Sequence, residues 1–340
     1  MRIWPDDPRR GPRATSPGDG VSGAAGGAAR RPDGDASDAH PRPHPHDGGA
    51  AAAPAVGIVG AGAVGTALGV AIARAGWPVR AVASRDEARR ARFLSLVPGA
   101  RAFIDAVGVV DEVELVILTV PDDAIAAVAG PLRLYGGQAM IHTSGLLGPE
   151  VLEPVRAAGS EIGAFHPLVS FTSDVDRSVA GLAGATVAIE GDDRMVGLLA
   201  DLAEAVGGLP VRLPPGSKPA YHAAAVLASG GLVALLDVIV ALGATAGMDE
   251  RGSLAIYGRL IEQTLSNAWS GGVDAALTGP IVRGDVGTLE AHLRALRDSA
   301  PGTVELYVAL AHRELAIARR RGALTPEQAE HVAAALAKVG

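Results

Sequence analysis

The sequence has no cysteine among its 340 residues, which excludes a disulfide framework, a thiolate metal site and a cysteine nucleophile. Aromatic residues are scarce, at 3%, and the formal net charge is -7 with no segment that concentrates Lys and Arg. Such a chain has little with which to grip phosphate backbones or stack on bases, so nucleic acid is not an expected partner. The charged start lacks the continuous apolar stretch of a secretory signal. A reducing, cytoplasmic setting is therefore expected. Apolar residues, by contrast, are plentiful: they make up 48% of the chain, enough for one large core or two ordinary ones.

Residues 1–53 hold 9 Gly, 8 Pro, 7 Arg and 7 Asp and scarcely a large aliphatic side chain. This segment cannot bury enough apolar surface to offset its ordering entropy, so a disordered tail is expected over 1–53. The histidines of "HPRPHPHDGG" sit in that flexible context, where metal sites are weak, and no metal is expected. Residues 223–247 are long enough to span a bilayer and carry a single charge, Asp237. That charge falls mid-run among Ala and Gly, which fits a helix buried by protein better than one in lipid.

The strongest local signal is "AVGIVGAGAVGTALGVAIARAG". An apolar run, Ala55 to Val59, reads as a buried strand, and Gly60, Gly62 and Gly65 then give G-x-G-x-x-G where a helix begins. The first glycine permits the tight turn, the second lets a pyrophosphate approach the backbone, and the third lets helix and strand pack closely. Ala63 and Val64 complete the turn that would meet the phosphates. "WPVRAVAS" supplies a second strand, and its end distinguishes the two nicotinamide cofactors. An NAD site usually has an acid there for the ribose 2′-hydroxyl. This chain has Ser84 and Arg85, which suit a 2′-phosphate and favour NADP; the competing reading makes Asp86 the ribose ligand, although Asp86 is also a good helix N-cap.

Further strands are expected at "ELVILTVPDDAI" and "QAMIHTSGLLG". Ligands in an open parallel sheet sit beyond the carboxyl ends of strands, which places Val120, Pro121 and Ser144 on the cofactor path. Capping the next helix or turn is an equally good use for such residues. Two more strands, "EIGAFHPLVSF" and "GATVAIEG", precede a part that is helical from Pro219 onward. The expected architecture is an α/β Rossmann domain with a mostly parallel sheet, 54–215, followed by an all-α domain, 216–340, that binds substrate and pairs two subunits as a homodimer.

The second part opens on "KPAYHAAAVLASGG". At 100° per residue Lys218, Tyr221, His222 and Ser229 share one face of an otherwise apolar helix. Hydride transfer to a ketone leaves negative charge on oxygen, so a proton donor and a substrate anchor are needed. Lys218 and His222 are candidate donors and Ser229 a candidate substrate contact, against a plain reading as surface, packing and backbone-bonded residues. "LTGPIVRGD" forms a rigid turn that would aim Arg283 at a carboxylate, with Asp285 capping the next helix.

In that order, "GIVGAGAVGTALG", "VASR", "TVPDDAI", "IHTSG", "FHPLVSF", "KPAYHAAAVLAS" and "LTGPIVRGD" resemble the Rossmann-like proteins with a C-terminal domain of unknown function 2520. That family is similar in build to 6-phosphogluconate dehydrogenase, pyrroline-5-carboxylate reductase and ketopantoate reductase. The resemblance spans about residues 55–340 and implies NADP binding and a reductase fold, with some members similar to an alternative ketopantoate reductase. One position departs: asparagine is common in the family after the serine of the helix, and here Gly230 follows Ser229. The expectation is an NADP-dependent reductase of a small 2-oxo acid, best represented by ketopantoate. The alternatives are an imine reductase of the pyrroline-5-carboxylate type and an NADP-binding sensor or scaffold without turnover.

Overall fold

A computed structural model describes residues 53–156 and 159–338. The expected tail, apart from Ala53, lies outside the described residues, as do its histidines. The described residues divide into two compact units, the first ending at Tyr221 and the second beginning at His222.

The first unit is built on an eight-stranded sheet: β1 Val56–Val59, β2 Val79–Ala83, β3 Arg101–Phe103, β4 Leu115–Leu118, β5 Ala139–His142, β6 Glu161–Pro167, β7 Thr186–Gly191 and β8 Leu209–Arg212. Their spatial order is β3-β2-β1-β4-β5-β6-β7-β8. All neighbours pair in parallel except β6 with β7. β1, β4 and β5 are buried along their whole length because both faces of the sheet are covered, which is why they read as unbroken apolar runs. β8, "LPVR", escapes sequence patterning: it is short, lies at the edge and carries Pro210, which an edge strand tolerates.

The helices of this unit are α1 Ala63–Arg74, α2 Glu87–Leu96, α3 Val107–Val110, α4 Asp122–Ala129, α5 Val175–Ala180 and α6 Asp193–Ala205. Alternate strand residues feed two cores. Ile58, Ile117, Ile141, Phe165 and Ile189 pack with Leu68 of α1, Phe93 of α2 and Leu199 of α6. Val59, Leu118, Met140 and Ile162 pack on the opposite face with Val109 of α3, Ile125 of α4 and Leu152 of a 3-10 helix, Pro149–Val155. Asp86, Asp174 and Asp192 cap α2, α5 and α6 through their side chains.

α7, Lys218–Val226, begins at the end of the first unit. The second unit continues it through a π-helical turn, Leu227–Gly231, into α8, Leu232–Thr245. α9 Glu250–Gly271, α10 Val273–Ala276, α11 Val286–Ser299, α12 Val304–Arg320 and α13 Pro326–Ala337 follow. Thr325 and Gln328 form the reciprocal capping box that starts α13. α11, α12 and α13 enclose a small core of Leu289, Leu293, Leu315, Val332 and Leu336. α8 and α9 pack closely at Gly243, where a Cβ would stand 2.1 Å from the Oγ of the fully buried Ser253.

The long apolar helix is present where the sequence places it, but among the described residues it is only partly covered. None of the most apolar stretch of Lys218–Thr245 is buried, and it is long and apolar enough to cross a membrane by length and composition alone. Leu227, Val233, Ile256, Leu260 and Trp269 all stand more than half exposed.

Candidate functional site

The glycine turn has the geometry its spacing dictates. Gly60 adopts φ 112°, a left-handed value that favours glycine, and a Cβ there would lie 2.7 Å from the Thr119 carbonyl oxygen. A Cβ on Gly65 would meet the Gly60 carbonyl oxygen at 1.9 Å, so helix and strand can approach only because both are glycines. Thr119 ties the two strand ends together by donating from Oγ1 to the Gly60 carbonyl at 2.6 Å. Around Gly62 the reverse holds: a Cβ would touch nothing within 4 Å. Gly62 is the N-cap of α1 and offers no side-chain acceptor, and the first turn, which holds Ala63 and Val64, carries no acid. Open space, free helix N–H groups and the positive end of a twelve-residue helix together make a cradle that fits a pyrophosphate.

At the carboxyl end of β2, Ser84 is half-buried and Arg85 exposed. Asp86 is committed elsewhere: one carboxylate oxygen accepts from the Arg89 backbone N–H at 3.1 Å and the other pairs with the Arg89 guanidinium at 3.3 Å. Among the described residues no ion pair ties down Arg85.

Past β4, Val120 is half-buried, Pro121 is exposed and caps α4, and Asp122 opens that helix. Asp122 reaches the loop after β5, accepting from Ser144 Oγ at 2.7 Å. The same Ser144 oxygen accepts from the backbone N–H groups of Leu146 and Leu147 at 3.0 and 2.9 Å. The Ser144 N–H donates to His142 Nδ1 at 3.2 Å, which leaves Nε2 as the protonated nitrogen that donates to the Gly148 carbonyl at 3.0 Å. His142 is fully buried and its pKa is lowered to about 4, chiefly by desolvation. Ser144 is thus a hub whose hydroxyl is spent on building the loop.

The Ser144 carbonyl accepts from Lys218 Nζ at 2.7 Å. Lys218 is 3% exposed; burial pushes its ammonium below the ordinary lysine range, while the carboxylates of Glu190, Asp122 and Glu150 oppose that shift. The first residue of α7 therefore stands as a desolvated cation against the loop that follows β5. Tyr221 lies edge-on to His166 with centroids 5.8 Å apart, and burial pushes its phenol up to about 12. His222, one turn beyond Lys218, is half-buried and begins the second unit.

Two other candidates have local uses. Ser229 is exposed in the π-helical turn and donates to the Ala225 carbonyl at 2.8 Å, the self-bonding a helical serine commonly adopts. Gly230 beside it faces open space. Arg283 is exposed at the end of a 3-10 turn, Ile281–Arg283, which Gly284 closes at φ 67°. Asp285 caps α11 through the Thr288 N–H at 3.0 Å.

One buried acid has no place in the sequence-level site. Glu190 on β7 is 9% exposed, pairs through Ala164 with His142 across the sheet, and has a buried Oε1 without a hydrogen-bond partner. Its signal in the sequence was a lone charge in the apolar run "TVAIEG". Among the described residues no group of three or more His, Cys, Asp or Glu is arranged to hold a metal ion.

Comparison with known proteins bears first on the fold. A protein provisionally named as an NADP oxidoreductase, BF3122 from Bacteroides fragilis, is 22% identical with a TM-score of 0.66, over 77% of this chain and 98% of that one. Protein TM1727 from Thermotoga maritima is 28% identical with a TM-score of 0.60, over 78% and 99%. The 1-pyrroline-5-carboxylate reductase of Streptococcus pyogenes is 16% identical with a TM-score of 0.56, over 81% and 100%. No curated protein matches the sequence. The family models place a Rossmann-like domain over residues 42–167, and the chain joins it to a domain of unknown function, DUF2520, over residues 185–314.

Proposed function

We propose that the chain is an NADP-dependent reductase that transfers a hydride to a small 2-oxo acid, with ketopantoate the leading single substrate. The carrying observation is the pairing of an open phosphate cradle at Gly62 with an uncommitted Arg85 at the end of β2, while both carboxylate oxygens of Asp86 already meet Arg89. Two carboxylate bonds already made leave Asp86 a poor ribose ligand, and an exposed guanidinium is suited to a 2′-phosphate. When bound, the reduced nicotinamide supplies the hydride.

The protein's own part is electrostatic. Lys218 is held by the Ser144 carbonyl through one of its three N–H bonds, which leaves two for a substrate oxygen. Desolvation makes that proton easier to give up than an ordinary lysine's, in the direction a general acid needs. His222 and Arg283 remain candidates for sharing the proton and anchoring a carboxylate, and Ser229 for a substrate contact.

Reduction of a cyclic imine is the second reading, favoured by the fold shared with a pyrroline-5-carboxylate reductase. An imine arrives already cationic and needs little acid catalysis, so Lys218 would then be dispensable. A non-catalytic NADP sensor is the third; the absence of a side chain at Gly230 supports it. The test is loss of NADPH absorbance across a panel of 2-oxo acids and cyclic imines. Turnover of an oxo acid supports the first reading, turnover of imines alone the second, and tight binding without oxidation the third.

Homodimerisation is part of the same proposal. Apolar residues of α8 and α9 are uncovered, and the charges among them, Asp237 in mid-α8 and Arg259 and Glu262 in mid-α9, argue against lipid; a second copy of this chain presents the same apolar residues to cover them. A cytoplasmic setting accords with the absence of cysteine.

A further inference from the structure

The first unit contains a cleft of about 410 Å³ on the α3–α4 face of the sheet, a size typical of small-molecule sites. The 3-10 helix Pro149–Val155 forms one wall, the ends of β7 and β8 another, and the segment 215–219 a third. None of Gly60–Gly65, Ser84, Arg85 or Val120 lines it; Lys218 is the one residue it shares with the candidate catalytic set.

The charges at its rim are mostly paired with each other. Arg156 bridges Glu153 at 3.2 Å and Asp192 at 3.9 Å, and Arg212 bridges Asp193 at 2.9 Å. The buried groups are different. Glu190 Oε1 accepts no hydrogen bond, and Lys218 has given only one of its three N–H bonds, to Ser144. The two are near enough for each to be the other's largest charge interaction, yet among the described residues no ion pair joins them. Burial pushes the carboxyl up and the ammonium down, the response of two desolvated ions that lack close partners.

We propose that this cleft binds a small α-amino acid as its zwitterion, the ammonium on Glu190 and the carboxylate on Lys218. A zwitterion brings each buried ion a counter-charge and a charge-assisted hydrogen bond at once. A hydroxy acid would leave Glu190 without a cation, and a simple amine would add positive charge beside Lys218. Glu150, on the wall and exposed, acts on both Glu190 and Lys218 and adds negative charge that the ligand's ammonium offsets. Lys218 is shared with the proposed proton-donor role, so an amino acid held here would occupy the N–H bonds that role uses; the binding test, made without cofactor, can succeed or fail whatever becomes of the reductase reading.

The experiment is calorimetric titration of the full chain, without cofactor, using glycine, L-alanine, L-serine and L-proline, with L-lactate and ethylamine as single-charge controls. At least one amino acid should bind and raise Tm, with both controls at least about tenfold weaker. Glu190→Gln keeps the side-chain shape and should weaken the amino acid about tenfold or more without lowering the Tm of the unliganded protein. Leu146→Trp, at the exposed mouth of the cleft, should weaken it as well and serves if Glu190→Gln fails to fold. Absence of binding by all four amino acids, equal binding of lactate or ethylamine, or unchanged affinity in both variants would overturn the proposal.

Discussion

A proton on His142 would break the loop that follows β5. The ring accepts from the Ser144 N–H at Nδ1 and donates to the Gly148 carbonyl from Nε2, an arrangement open only to the neutral form. The folded pKa, about 4, lies below the unfolded value of 6.5. Between those two values the unfolded chain binds the proton and the folded chain does not, so stability falls as pH drops from about 6.5 to about 4. The shift corresponds to ~3 kcal/mol. His142→Gln should flatten that part of a Tm-against-pH curve, and an equally steep curve in the variant would assign the acid sensitivity to other groups. Arg85 gives the second prediction at this scale. Arg85→Asp should weaken NADPH by about 1.5–3 kcal/mol and change NADH far less, as read by titrating both cofactors; equal losses would make Arg85 a general stabiliser.

Among the elements, the glycine turn was legible because glycine at three fixed positions has few other physical meanings, and the strands β1, β4 and β5 because burial on both faces leaves no polar interruptions. β8 was not legible, since an edge strand containing Pro210 carries no pattern. Lys218 was visible as the start of a polar seam, but its partner is a backbone carbonyl 74 residues away, and backbone groups leave no mark in a sequence. By sequence Ser144 is a cofactor or capping candidate, and only the fold reveals that its hydroxyl is occupied by Asp122 and two N–H groups. In the helical unit the α8–α9 pair depends on Gly243 meeting Ser253. Gly243→Val would drive these helices apart or strain them, with an expected loss of about 1–3 kcal/mol in a denaturant melt. A neutral outcome would mean that the pair is loosely packed.

At the scale of the whole molecule, the uncovered face of α8 and α9 bears on assembly. Leu260 is 60% and Trp269 73% exposed on α9, and large exposed apolar patches mark interaction surfaces. If a second copy covers them, light scattering after size-exclusion chromatography will give twice the 34.2 kDa chain mass, and Leu260→Glu with Trp269→Glu will shift it to monomer. A wild-type monomer at micromolar concentration would refute the pairing.

The reductase reading joins the NADP cradle at Gly62 and Arg85 to Lys218 as a desolvated proton donor. Its most direct test is the rate of NADPH oxidation over the 2-oxo-acid panel for the wild type and Lys218→Met, with NADPH affinity measured on the same samples. The account predicts turnover of at least one oxo acid, and a rate about 100-fold or more lower in the variant with NADPH affinity within a few-fold. Tight NADPH binding with no oxidation of any panel member, or equal turnover in the two proteins, would contradict it.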